Sequence, residues 1–173
     1  MKIQKPLKLV FLIILCEIIG SLGSIFTLPN ITGWYANLAK PFFSPPNWLF
    51  GPVWTILFLL MGVAFYLILE AKNASKSKNK NSKANEKYSP QQKTAITLFG
   101  IQFFFNVLWS YLFFGLKSPF LGFVGIIFLW LSIVVTIISF YQVSKKSAYL
   151  LVSYILWVSF AGILNFSVMI LNP

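Results

Sequence analysis

The chain of 173 residues has no histidine, one cysteine and three acidic residues, set against 14 basic ones. Each scarcity excludes something. The lone thiol, Cys16, allows no internal disulfide and carries no information about redox compartment. With no histidine and a single cysteine, neither a transition-metal cage nor a histidine-based catalytic triad can be assembled within one chain, so no metal site is expected. Charge of any sign is sparse: 10% of residues are charged and 58% apolar, with a mean hydropathy of +0.79. A soluble domain is nearer a quarter charged, so the expected solvent is largely lipid.

The charge there is avoids five apolar windows, roughly residues 7–28, 49–69, 95–114, 119–141 and 148–171. At about 1.5 Å per residue each is long enough to cross a hydrocarbon core of about 30 Å. Backbone polar groups need partners within the segment in lipid, which makes these windows helices. The expected fold is an all-α membrane protein: one domain over residues 1–173, a single bundle of five transmembrane helices with an ordered loop between the first two. An odd number of spans places twelve lysines on one side and leaves Lys40 and Lys117 on the other. That split puts the N-terminus in the cytoplasm and the C-terminus outside.

The net charge of +11 is then mostly a topology signal, with attraction to lipid headgroups as its physical consequence. The lysine run lacks interleaved aromatics, so no nucleic-acid partner is expected. MKIQKPLK followed by LVFLIILC imitates a signal peptide, yet the apolar run resumes beyond Glu17 without a small-x-small site, and the first span is expected to be retained. The polar run NASKSKNKNSKANE reads as a flexible linker over residues 73–87, after which Ser89 caps and Pro90 opens the next helix. The remaining links, residues 115–118 and 142–147, are short enough to make consecutive helices antiparallel neighbours.

The stretch GWYANLAKPFFSPPNWLFGPVW, residues 33–54, holds three tryptophans, a tyrosine, a lysine and four prolines. Thr32 is placed to cap a short helix ending at Ala39, with Trp34 and Leu38 on one face. Pro41, Pro45, Pro46 and Pro52 restrict the backbone and lower the entropy lost in holding one shape. Two readings stay open: an aromatic belt at the membrane interface, or an ordered cover over a cavity.

Helical spacing selects one inward stripe per span. The first carries Glu17, Gly20, Ser21 and Ser24; the second Trp54, Phe58, Gly62 and Phe65; the third Gln102, Asn106, Trp109 and Phe113; the fifth Tyr154, Trp157, Ala161 and Asn165. Glu17 lies mid-span, where an ionised carboxylate costs roughly 2.5–3.5 kcal/mol, so it should be inward, protonated or hydrogen-bonded. It is either structural glue or a ligand or proton group. Asn106 and Asn165 are likewise either polar glue between helices or orienting groups for a ligand. Three indoles, Trp54, Trp109 and Trp157, are awkward to pack solidly, and a flat apolar ligand fits between such rings. Gly20-x-x-Gly23 and Gly122-x-x-Gly125 permit close helix approach.

WYANLAKPFFSPP, FGPVWTILF with MGVAFYL, QFFFNVLWSYLFFG and YILWVSFAGILN, in this order over almost the whole chain, resemble the TspO/MBR family of tryptophan-rich sensory and translocator (peripheral-type benzodiazepine receptor) proteins. The resemblance implies five helices packed in the order 1-2-5-4-3, often as a homodimer. It implies a receptor or sensor in a prokaryotic cytoplasmic membrane, and a pocket closed by the first loop. The implied ligand is a porphyrin, protoporphyrin IX or haem-like, or another flat apolar molecule, with no cofactor required and membrane lipids as the other partner. By motif register Tyr35, Pro45, Trp54, Phe58, Asn106, Trp157 and Ala161 match positions lining or covering that pocket. Trp109 and Asn165 match signature positions near it, and Gln102 falls in the QFFFN element; Tyr154 joins them as an orienting hydroxyl. Light-dependent porphyrin degradation through Trp54 and Trp157, and transport of porphyrin or lipid, are the alternative activities. Ser153 stands where the family usually has proline, implying a straighter fifth span, and Gly125 where many members have aspartate.

Overall fold

The computed structural model describes residues 5–71 and 88–173, and all regular structure among them is helical. In chain order these are α1 (Pro6–Ser21), α2 (Ser24–Ile31), α3 (Trp34–Asn37), α4 (Asn47–Glu70), α5 (Pro90–Ser110), α6 (Pro119–Val143), α7 (Lys145–Leu150) and α8 (Val152–Leu171). A π-helical turn, Tyr111–Gly115, extends α5. Four stretches, α4, α5 with its π-turn, α6, and α7 with α8, run 24–27 residues and are apolar enough to cross a membrane; α1 and α2 make a fifth if the bent pair is one span. The chain is therefore an all-α bundle of four to five membrane-spanning helices. The linker expected at residues 73–87 lies outside the described residues.

The first window is not one straight helix. α1 and α2 meet at 49° across Leu22 and Gly23. The cause is local: the Ser21 hydroxyl donates to the Ile18 carbonyl at 2.9 Å and Ser24 to that of Ser21 at 2.6 Å. Such back-bonding beside Gly20 and Gly23 loosens the helical ladder, and Gly/Ser pairs are a usual site of kinks. Thr32 does not cap α3. It ends α2, while Gly33 precedes α3 without a side-chain cap, and α3 stops at Asn37 rather than Ala39. Trp34 and Leu38 do share a face, both packing on the cluster around Tyr35 and Phe113. Ser89 caps α5 as a full capping box with Gln92. The Gln92 amide also donates to the carbonyls of Ile68 and Ala71, fastening the start of α5 to the end of α4.

Contacts between elements run α1 to α4, α4 to α7, α7 and α8 to α6, and α6 to α5, with α2 closing onto the π-turn. With α1 and α2 taken together as the first span, that is the ring order 1-2-5-4-3. Polar ties reinforce it: the Lys8 ammonium lies 2.6 Å from Glu70, the Ser147 hydroxyl donates to Ala64, and the Trp130 indole donates to Ser159 at 2.8 Å. Below the hinge the core is solid, with Phe65 stacked on Phe99 at 4.6 Å and Phe99 on Phe140 at 5.5 Å. On its other side α4 meets α1 closely at Gly62, where a Cβ would lie 2.6 Å from the Ile13 backbone. Outward faces are apolar: Leu7, Phe11, Phe104, Phe120, Leu156 and Ile163 are each at least 60% exposed. A soluble protein hides such a surface, and lipid is what covers it here.

Candidate functional site

The hinge decides where the bundle is not solid. α1 lies along α4, but after the bend α2 packs on α3 and the end of α5. The first half of α4 is left facing a cavity of about 480 Å³, within the usual range for small-molecule sites of about 300–1,000 Å³. Its two sides differ in kind. On α1 and α2 the wall is built largely of small residues, Gly20, Ser21, Gly23, Ser24 and Thr27; opposite stand the rings of Trp54, Phe58, Trp109, Phe113 and Phe114.

The rings form one assembly. Trp54 stacks on Phe58 at 5.4 Å and tilts against Trp109 at 6.4 Å, and Trp109 stacks on Phe113 at 5.9 Å. Phe113 and Phe114, adjacent in sequence, are both buried and both reach the cavity. They sit in the π-turn, a distortion that recurs at functional sites. Polar groups in this wall are anchored: the Asn106 amide donates to the Tyr154 hydroxyl at 3.1 Å. Asn165 accepts from the Trp109 indole at 3.2 Å and donates to the Pro119 carbonyl at 2.9 Å. Helices α5 and α8 are thereby joined at the cavity, and each amide is held in one orientation.

Of the residues singled out in the sequence, Tyr35, Trp54, Phe58, Asn106, Trp109, Ala161 and Asn165 come together on this wall. Four stand off it. Tyr154 is 1% exposed and lies behind Trp54, ring to ring at 6.1 Å, acting on the wall through Asn106. Trp157 packs between Phe50 at 5.9 Å and Phe160 at 5.5 Å, with its indole nitrogen buried and unpartnered. Gln102 is one helical turn below Asn106, 1% exposed, and both ends of its amide lack a partner. Pro45 lies in the segment between α3 and α4 without reaching the wall. Sequence reasoning missed Thr27, Thr55, Ser110, Leu164 and Val168. Leu164 and Val168 extend the Ala161–Asn165 stripe by its own spacing, and Thr55 accompanies Trp54 and Phe58; a stripe that admitted any side chain in register would have found them.

At the loop end, Tyr35 is 4% exposed and burial pushes its phenol above the ordinary value, so it is neutral at physiological pH. The Lys40 ammonium sits 4.7 Å over the Tyr35 ring and donates to the carbonyls of Ala36 at 3.1 Å and Leu38 at 3.3 Å. Asn172, beyond α8, clasps this segment: its amide donates to the Ala39 carbonyl and accepts from the Ala39 N–H, both at 3.0 Å. Among the described residues no group of three His, Cys, Asp or Glu side chains gathers that could hold a metal.

Comparison of the sequence with known proteins identifies its family. The TspO/MBR family model matches residues 12–171. The chain belongs to the TspO/MBR family. It is 43% identical over 170 residues to the tryptophan-rich protein TspO of Chlorobaculum tepidum, covering 98% of this chain and 99% of that one. A TspO of Archaeoglobus fulgidus is 43% identical over 166 residues, covering 96% and 97%. The human translocator protein is 30% identical over 146 residues, covering 84% and 79%. Membership makes the chain an integral membrane protein, and the family-level function is that of a membrane receptor or sensor.

Two departures from the TspO/MBR pattern now have local explanations. Where Ser153 stands in place of proline, α-helical pairing is interrupted at Leu151 and the Ser153 hydroxyl donates back to the Leu150 carbonyl at 3.1 Å, while Lys145–Leu171 runs on as one membrane-length stretch. Gly125 lets α6 approach α5, since a Cβ there would lie 2.8 Å from the Leu112 methyl. An aspartate at that position would need Leu112 to move. Both glycine pairs noted in the sequence pack inside the bundle, Gly20 against Phe58, Gly23 against Ser110 and Gly122 against Phe113. Their close approach is therefore used within one chain.

Proposed function

We propose that this TspO/MBR protein binds porphyrins or related flat lipophiles in the cavity above the α1–α2 hinge, as the ligand-recognising step of a membrane receptor or sensor. The observation that carries the reading is the cavity itself: Trp54, Phe58, Trp109 and Phe113 make one side of it a continuous aromatic surface, with Asn106 and Asn165 held beside the rings. Burying a flat macrocycle against such rings supplies non-directional affinity, while fixed amides select its orientation. Lys40, at the loop end beside Tyr35, is the cation within reach of a ligand carboxylate. The proline-rich segment between α3 and α4 serves as the cover, held by Asn172. In this reading the bent α1–α2 pair counts as one span, the lysine split sets the N-terminus inside a prokaryotic cytoplasmic membrane, and two copies associate as a homodimer.

Titration with protoporphyrin IX, followed by tryptophan fluorescence, tests the assignment. Trp54→Ala should weaken binding at least tenfold, while circular dichroism reports an intact helical fold. Unchanged affinity in the folded variant would overturn it. Photo-oxidative degradation through Trp54 and Trp157 gains no support from the geometry, since Trp54 borders the cavity and Trp157 stands behind Phe50 and Phe160.

A further inference from the structure

Glu17 is the one carboxylate on the cavity wall, and no lysine stands there with it. Of the two acidic residues described, Glu70 is neutralised at the opposite end of the bundle by Lys8 at 2.6 Å and Lys5 at 3.5 Å. Glu17 has no ion pair or hydrogen bond to any described residue. It lies one turn below Gly20, whose neighbour is Phe58, and so it marks the inner end of the cavity, away from Tyr35 and Lys40.

The side chains near it offer it nothing. Ser21, Ser24 and Thr27 donate their protons to backbone carbonyls three or four residues earlier, and Thr55 across the gap does the same on α4. Those hydroxyls present lone pairs to the cavity, and Glu17 adds two carboxylate oxygens. In a membrane-embedded stretch a half-buried carboxylate without a donor is unsatisfied, because the hydrocarbon around it supplies none.

We infer that Glu17 is a specificity-determining residue of the cavity, and that the ligand class it selects is a planar lipophile whose inner end carries a protonated nitrogen. A charge-assisted N–H to carboxylate bond in a dry site is stronger than its neutral counterpart. The aromatic wall holds the ring system while Glu17 reads the cation. The net charge of +11 repels cations at long range, so a preference for a cationic ligand has to come from a local group. This inference rests on the proposed binding of flat ligands in the cavity and goes further by naming the polar group such a ligand carries.

The test uses the full chain in nanodiscs of zwitterionic lipid, with empty nanodiscs subtracted for partitioning. Two probes of nearly equal shape are titrated against tryptophan fluorescence at pH 7: acridine, which is neutral, and 9-aminoacridine, which is a cation. Wild type should bind 9-aminoacridine about tenfold more tightly or better. Glu17→Gln should bring the ratio of the two affinities close to one, and Glu17→Asp, which keeps the charge, should retain most of the preference. A ratio unchanged by Glu17→Gln overturns the inference, as does a preference lost equally in both variants, which assigns the effect to packing. Protoporphyrin IX is titrated alongside. If wild type binds it and acridine without preferring the cation, the inference fails and the flat-ligand reading stands; if wild type binds no planar probe, both fail.

Discussion

Gly20→Ala adds one methyl group where α1 meets Phe58, and its consequences separate packing from helix propensity. A Cβ at position 20 would lie within about 2.5 Å of the Phe58 ring edge, whereas one at Gly100, in the lipid-facing side of α5, would meet nothing within 4 Å. Exchanging glycine for alanine inside a helix is worth up to about 1 kcal/mol in either place. At Gly100 that gain stands alone. At Gly20 it is set against an overpacking cost of about 1–3 kcal/mol, leaving a variant between neutral and about 2 kcal/mol less stable than wild type. The gap between the two variants is therefore about 1–3 kcal/mol, and the helix contribution largely cancels from it.

The way the strain is relieved touches the cavity. Phe58 is held on one side by Phe103 at 6.2 Å and on the other by Trp54 at 5.4 Å, so its free direction is into the open volume. Gly20→Ala should then weaken protoporphyrin binding beyond what its stability predicts. Phe58→Leu in the same chain removes the colliding ring, and a double-mutant cycle by thermal unfolding in detergent should return a coupling of about 0.5–3 kcal/mol. Should Gly20→Ala match Gly100→Ala in melting temperature, or the cycle prove additive, the contact between α1 and Phe58 is not as described.

Three further outcomes follow from individual contacts. Tyr154→Phe removes the acceptor of the Asn106 amide and should destabilise the bundle by about 0.6 kcal/mol, up to about 1.7, while Asn106→Leu strands a fully buried hydroxyl and should cost more, about 1–3 kcal/mol; chemical unfolding that ranks them the other way contradicts the bond. Asn172→Ala deletes both bonds to Ala39, so amide exchange at Ala39 should accelerate about tenfold with no change in the middle of α6, and equal protection in variant and wild type would deny the clasp. Ser24→Phe places a ring from the small-residue side into the cavity and should abolish protoporphyrin binding with melting within about 1 kcal/mol of wild type; retained affinity would show that the ligand sits elsewhere.

The spans were legible because lipid imposes length and apolarity together, and residues 47–70, 90–115 and 119–143 enclose the windows read from the chain. The capping box of Ser89 and Gln92 was half legible, from Ser-Pro alone. The hinge was not, because the first window is apolar throughout and hydropathy does not register a bend; its signal was the alternation Gly20, Ser21, Gly23, Ser24, taken as a contact stripe. Trp157 and Gln102 show the limit of spacing. Each keeps register with a cavity residue, Ala161 or Asn106, but Gln102 lies a turn lower in packed core and Trp157 is screened from the cavity by Phe50 and Phe160. Register gives the face of a helix, and the depth at which that face is open depends on the neighbouring helix.

That neighbour is α1 with α2, and its composition explains why the site is hollow at all. The eight aromatic side chains that line the cavity, set against an ordinary apolar helix, would have been met by leucines and packed shut, as Phe99 and Phe140 are lower in the bundle. Here the facing residues are largely glycine, serine and threonine, and beyond the contact of Gly20 with Phe58 their side chains are too short to fill the space opened as the bend carries α2 toward the π-turn of α5. The hydroxyls that could have drawn the helices together are already satisfied by their own backbones. Small residues at a membrane helix usually bring backbones into contact; joined to a kink, the same residues hold a volume open, and the aromatic side supplies the surface a flat ligand would meet.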